Sequence, residues 1–260
     1  MLKTIFIGGK EIGNKCLTEL LSKKVKPELV IGNMDDDGKD NLFHKSLIKL
    51  AKKKKIKFFK KKNIKRLIKI LINKKIDIIF CIGATQIVPK EILKIPKLGC
   101  LNIHPSLLPR YRGRYSTVYS IFNGDKFTGV SAHWIGSELD SGKLIYKKKF
   151  NINKNDTAKN VYDKFTKIGF FLFKKILNEI IKGKKIKSKK IKATNTMYRN
   201  KKLPNDGEID WKWPGKKIKN FIRATTFEPF DPPFFYLGKE KFIIINSKII
   251  KFKSKMKSPL

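Results

Sequence analysis

The chain has 260 residues, 41% of them hydrophobic, a formal net charge of +40 and only three cysteines. That length holds one substantial α/β domain and a small appendage. No stretch approaches the roughly eighteen unbroken apolar residues of a bilayer span, and the start is too short and too glycine-bounded for a secretory leader, so a cytoplasmic protein with no membrane partner is expected.

In chain order, Leu2 to Gly9 reads as a buried strand, and Ile12 to Lys24 has apolar residues at helical spacing (Ile12, Cys16, Leu17, Leu20, Leu21). A second strand at Pro27 to Asn33, a helix at Phe43 to Lys54, a short strand at Ile56 to Phe59, a helix at Ile64 to Asn73 and a strand at Ile76 to Cys81 follow. Ile95 to Ile103 and Thr128 to Ile135 are further strands, and Thr157 to Lys182 is a long amphipathic helix capped by Asp156 or Thr157 and ended by Gly183. Lys184 to Lys192 fits an edge strand, since lysines discourage further pairing. Strand and helix alternate, which predicts an α/β, Rossmann-like, mostly parallel sheet with helices on both faces, plus a small C-terminal α+β appendage. The boundary falls near Met197 to Gly207, giving residues 1–196 and 197–260. Gly8-Gly9 lacks the G-x-G-x-x-G spacing of a dinucleotide fingerprint and reads as a tight strand-to-helix turn.

The charge invites a nucleic-acid reading, because lysine-rich surfaces bind phosphate backbones by releasing counterions. Only six of the 61 basic residues are arginine, however, and the lysines are spread along the whole chain among isoleucines and asparagines. A coding bias explains that excess, which argues against nucleic acid as the partner. Three of the six arginines, Arg110, Arg112 and Arg114, instead crowd one loop, and a forked guanidinium suits phosphate. Cys16, Cys81 and Cys100 have neither disulfide nor zinc spacing, so buried reduced thiols and no metal are expected.

That loop follows the most informative segment, Leu101-Asn-Ile-His-Pro-Ser-Leu-Leu-Pro-Arg-Tyr-Arg-Gly-Arg114. Residues two apart on a strand share a face, so Asn102 and His104 address one point, and Pro105, with no N–H for the ladder, ends the strand. Asp140 lies in the turn-like Glu138-Leu-Asp-Ser-Gly142. An amide, an imidazole and a carboxylate are an oxyanion donor, a proton acceptor and an orienting anion, the kit for amine attack on an acyl carbon. Taken singly, His104 as a core histidine and Asp140 as an Asx-turn residue are the commoner readings; the assembled pattern favours chemistry. His133 and Trp134 are even between facing this site and filling structure.

Asn102-Ile-His-Pro-Ser-Leu-Leu-Pro109, Arg112-Gly113, Asn123-Gly124 to Val130 and Leu139-Asp140-Ser-Gly142 together resemble the formyltransferases that use N10-formyltetrahydrofolate. The resemblance implies that Asn102, His104 and Asp140 are catalytic, acting through a tetrahedral intermediate. Cys81 to Leu93 is similar to the family loop that grips the pterin, which implies cofactor contacts by Gly83, Thr85, Gln86, Ile87 and Val88, with Leu139 beside the catalytic aspartate. Further along, Ile209-Asp-Trp-Lys-Trp213, Ile222-Arg-Ala224 and Thr226 to Gly238 resemble the C-terminal region shared by sugar and transfer-RNA formyltransferases. Only 22 residues follow Gly238, enough for strands at Phe242 to Ile245 and Ile249 to Phe252 but too few for a five-stranded OB barrel. That reading favours a nucleotide-linked amino sugar as acceptor, contacted by Gly9, Ser106, Arg112, Arg114 and Tyr115. A methionyl-tRNA formyltransferase with a reduced C-terminal domain is the alternative. The aromatics around Trp211, Trp213 and Phe234 fit a small core or a homodimer contact.

Overall fold

A computed structural model describes residues 2–41, 44–60, 71–72, 74–191, 197–198, 202–227, 230–245 and 248–251. They fall into two compact units, one made of residues 1–104, 130–147 and 166–193, the other of 105–129, 148–165 and 194–260.

In the first unit Thr4–Gly8 (β1) and Ile78–Ile82 (β4) are buried along their whole length. Continuous apolar runs of this kind belong to strands covered on both faces, as parallel strands usually are. Leu29–Gly32 (β2) and Phe58–Lys60 (β3) extend the sheet from one side of β1, while β4 and Gly99–His104 (β5) extend it from the other, all in parallel. The chain thus reverses its direction of growth between β1 and β4, the switch point beyond which ligands bind in open α/β sheets. Phe127–Ile135 (β7) pairs with β5 antiparallel, and Gly142–Asn151 (β8) and Lys189–Lys190 (β9) complete the order β3-β2-β1-β4-β5-β7-β8-β9. The expected α/β sheet, mostly parallel, is therefore present. Strand β9 is an edge strand, as its lysines led us to expect, with Lys190 opposite Lys143.

Helices follow from recognisable signals. Lys10–Ser22 (α1) buries Ile12, Cys16, Leu17 and Leu20. Leu47–Lys53 (α2) starts where Ser46 accepts from the Lys49 amide, and Asp36, itself 6% exposed, accepts from the Leu47 and Ile48 amides and from Ser46 Oγ. A buried carboxylate on first-turn amides satisfies donors that the helix cannot. The expected helix from Ile64 to Asn73 lies outside the described residues except for 71 and 72, which are helical. Lys90–Leu93 (α3) is a single turn. Ala158–Ile181 (α5) has the expected caps: Asn160 N–H donates to Thr157 Oγ1, and Gly183 in the left-handed region (φ 68) closes the C-terminus. Its Phe173 meets Phe80 edge-on at 5.4 Å, and Phe80 in turn meets Phe6, joining helix to sheet.

The second unit contains Arg112–Gly113 (β6), paired in parallel with Met197–Tyr198 (β10), and Ser116–Phe122 (α4) and Gly215–Thr225 (α6). Val118, Ile121, Ile152, Val161 and Ala224 form one core, and Ile209, Phe221 and Ile244 another. The appendage is a three-stranded antiparallel sheet, Phe234–Leu237 (β11), Glu240–Ile245 (β12) and Lys248–Lys251 (β13). Strands β8 and β11 were not foreseen. Four of the ten β8 residues are lysine and prolines precede β11, so neither has clean apolar alternation; pairing to neighbours decides both.

Candidate active site

The catalytic residues proposed from sequence come together in the first unit. The antiparallel register of β5 and β7 sets Asn102 opposite His133 and His104 opposite Ser131. Asp140 arrives on the turn after β7, which is closed by Gly136 N–H to the Ser141 carbonyl (3.1 Å) and by Ser141 Oγ bonded to Glu138. Its backbone is left-handed (φ 47), a conformation that Asp tolerates better than most residues. The turn delivers the carboxylate inward: Asp140 is 8% exposed, His104 4% and His133 fully buried.

Asp140 faces three side chains, with His133 Nε2 3.7 Å from its Oδ1. Oδ2 is 3.4 Å from His104 Nδ1, and Oδ1 accepts from Asn102 Nδ2 at 3.4 Å. Asn102 Nδ2 also lies 3.2 Å from His133 Nε2, while His133 Nδ1 lies 3.1 Å from the Trp134 carbonyl. Burial pushes the His133 imidazole down to about 4; Asp140 partly opposes this and His104 adds to it. This ring is therefore neutral at pH 7. Of the two residues left even by sequence, His133 thus faces the site. Trp134, on the other face of β7, covers Gly99 at 3.4 Å from where a Cβ would stand.

A second feature of the same unit is the loop leaving β4. Gly83 has φ +64, and a Cβ there would lie 2.3 Å from the Gly9 carbonyl oxygen, so only glycine fits. Asn33, at the end of β2 and 1% exposed, staples the loop: its Nδ2 donates to the Gly83 carbonyl (2.9 Å) and its Oδ1 accepts from the Thr85 amide (3.0 Å). Gln86 Nε2 donates to the Gly32 carbonyl (2.8 Å), whereas Gln86 Oε1 is buried with no hydrogen-bond partner. Val88 packs against the core, Ile87 stands 79% exposed, Thr85 is exposed and Leu139 is half-buried. Sequence reading missed Asn33 and left His133 undecided. The one sequence signal for Asn33 was an amide closing an otherwise apolar strand. Gly83→Ala is expected to weaken folate binding about tenfold, since the strained loop must shift; titration of folate fluorescence quenching would measure it.

The arginine loop belongs to the second unit. Asp125 is its clamp, accepting from Arg110 Nη2 at 2.9 Å to each oxygen and from the Tyr111 hydroxyl at 2.8 Å. Burial, followed by that acceptor, pushes the Tyr111 phenol up to about 12. Ser106 Oγ donates to the Arg110 carbonyl (2.6 Å), Arg112 is 4% exposed within β6, and Arg114 is exposed with its guanidinium 5.6 Å from the Tyr115 ring centroid. Tyr115 itself meets Phe230 edge-on. Gly9 caps α1.

Residues 2–177 match the formyl transferase family, and residues 202–259 match the formyl transferase C-terminal domain. The chain belongs to the formyl transferase family. It is 37% identical over 252 residues to the bifunctional polymyxin resistance protein ArnA of Wigglesworthia glossinidia brevipalpis, covering 95% of this chain and 38% of that one. A methionyl-tRNA formyltransferase of Thermodesulfovibrio yellowstonii is 33% identical over 180 residues, 69% of this chain and 56% of the relative. The chain thus spans between about a third and about half of the length of these relatives. Among solved structures, WlaRD, a sugar 3N-formyl transferase crystallised in the presence of dTDP and 5-N-formyl-THF, superposes with a TM-score of 0.74 at 27% identity, over 98% of this chain and 99% of that one. Among the described residues there is no group of three potential metal ligands and no helix long and apolar enough to cross a membrane. All three cysteines are buried and free.

Proposed function

We propose that this protein transfers a formyl group from N10-formyltetrahydrofolate to the amine of a nucleotide-linked amino sugar. The observation that carries the reaction class is the buried convergence of Asn102, His104 and Asp140 at the end of β5. The loop from Gly83 to Val88 fits the folate: its orphaned Gln86 Oε1 is an acceptor waiting for a donor, and a pterin edge is rich in N–H groups. Leu139 and the exposed Ile87 add apolar contact. When bound, the folate supplies an acyl carbon whose leaving nitrogen is weakly basic.

The protein's own groups do the rest. An alkylammonium cannot attack until it loses a proton, so a base is required, and His104 is the group placed for it. Asp140 Oδ2 orients the imidazole through Nδ1 and stabilises it once it is protonated. Asn102 donates an N–H to the oxygen that gains charge during attack, and in a water-poor site that contribution is large. Gly9, Ser106, Arg112, Arg114 and Tyr115 would meet the acceptor, the arginines its phosphates.

The acceptor class is supported by the likeness to WlaRD along nearly the whole of both chains. The proposed division, a catalytic part to residue 196 and a small C-terminal part from 197, is supported by two separate matched segments, 2–177 and 202–259. The same reading places the protein in the cytoplasm as a homodimer, with the exposed Trp211, Tyr236 and Leu237 as the apolar contact. Incubation with N10-formyltetrahydrofolate and a panel of nucleotide-linked amino sugars should add the mass of one formyl group to one of them. Formylation of charged initiator tRNA with none of the sugars modified would move the acceptor to nucleic acid.

A further inference from the structure

We propose that His133 is a positioning residue: it anchors one amide hydrogen of Asn102 so that the other is left for the oxygen gaining charge on the substrate. This rests on the formyl-transfer reading above and adds to it a residue which that reading does not require.

The argument starts at the far end of the ring. His133 Nδ1 faces the Trp134 carbonyl at 3.1 Å, and a carbonyl can only accept, so Nδ1 carries the proton. Five influences bear on its charge: burial and His104 disfavour a second proton, Asp140 and the backbones of Trp134 and Ser141 favour one, and burial is the largest. A neutral ring has one N–H, which leaves Nε2 a bare acceptor. Nε2 is 3.2 Å from Asn102 Nδ2, a donor. Donor and acceptor therefore alternate from the Trp134 carbonyl through the ring to the amide; Asp140 Oδ1 stands 3.7 Å from Nε2, beyond hydrogen-bond reach.

The same alternation fixes which way the amide points. Turned over, Asn102 would set its carbonyl oxygen against bare Nε2 and against Asp140 Oδ1, three acceptors with no proton among them. Both amide hydrogens consequently point inward, but they are not held equally. The one on His133 meets a ring pinned at both ends and fully buried. The one on Asp140 spans 3.4 Å, near the limit of a useful hydrogen bond. The loosely held hydrogen is the one that a developing oxyanion can take over, while the His133 bond keeps the amide from swinging away as it does so.

Nuclear magnetic resonance of the imidazole nitrogens tests the anchor without turnover. His133 should show protonated Nδ1 and bare Nε2 between pH 6 and 8; a proton on Nε2 would overturn the proposal. In turnover assays, His133→Phe should lower kcat about tenfold, the scale of one hydrogen bond, with KM for both substrates within about twofold. His133→Gln, whose Oε1 stands near the Nε2 position, should recover most of the loss, and the shorter His133→Asn should not. In an Asn102→Ala background, His133→Phe should have no further effect. Wild-type kcat in His133→Phe, or additive losses in the double variant, would refute the anchor while leaving formyl transfer intact. A wild-type protein with the expected tautomer but no formyl transfer to any acceptor would sink the functional reading instead.

Discussion

Asp140→Asn and Asn102→Ala are each expected to lower kcat by about 10²–10³, with the thermal midpoint changed by only a few degrees. Removal of a single well-placed oxyanion donor typically has that effect on rate, and Asn102 is the amide available for the role. Asp140 matters differently. Its two oxygens reach His104 Nδ1 and Asn102 Nδ2, both at 3.4 Å, so the isosteric amide would keep the shape yet present an NH2 group to one of them. Whichever way it turns, the imidazolium loses its counter-charge, and the NH2 group faces either His104 Nδ1 or the Asn102 amide. The two losses should be far from additive, because both residues stabilise one charge distribution. Single-turnover rates beside melting curves would check this, and a variant that is inactive only because it is unfolded would count against the assignment.

The acid limb of the stability curve should belong largely to His133. Its folded value lies near 4, against about 6.5 for an unfolded histidine. Between those values the unfolded chain carries a proton that the folded chain does not, so stability rises with pH there. The contribution is fully present above about pH 6.5 and is lost as the pH falls towards 4. A gap of that size corresponds to about 3 kcal/mol. His44, whose value is also lowered by burial, and Asp77, lowered chiefly by the Lys3 amide, lose stability in the same direction but are common to wild type and variant. Urea unfolding of wild type and His133→Gln at pH 7.5 and pH 4.5 isolates the term. The wild type should lose more stability on acidification than the variant, and parallel losses would show that the ring is not held neutral.

The order of strands and helices was legible because buried parallel strands are written as unbroken apolar runs. Thr4–Gly8 and Ile78–Ile82 are examples, and caps such as Thr157 and Gly183 mark helix ends by local chemistry alone. Asn102 and His104 were legible as a pair for the same reason: period-two spacing and a following proline are local facts. Strands β8 and β11 were not, since a lysine-rich or proline-preceded segment becomes a strand through its neighbours' hydrogen bonds rather than its own pattern.

The composition of the site divides along the same line. Sequence by itself determined the chemistry available, an amide, an imidazole and a carboxylate near one strand end, together with a glycine-bearing loop after β4. Only tertiary structure decided who touches whom. The antiparallel register that sets His133 against Asn102, and the Asn33 staple reaching from β2 to Gly83, join residues 31 and 50 positions apart. A single chain carries no periodic trace of such pairs. Whether a histidine is filler or partner depends on which acceptor and donor its two nitrogens meet, and those partners exist only once the sheet has closed.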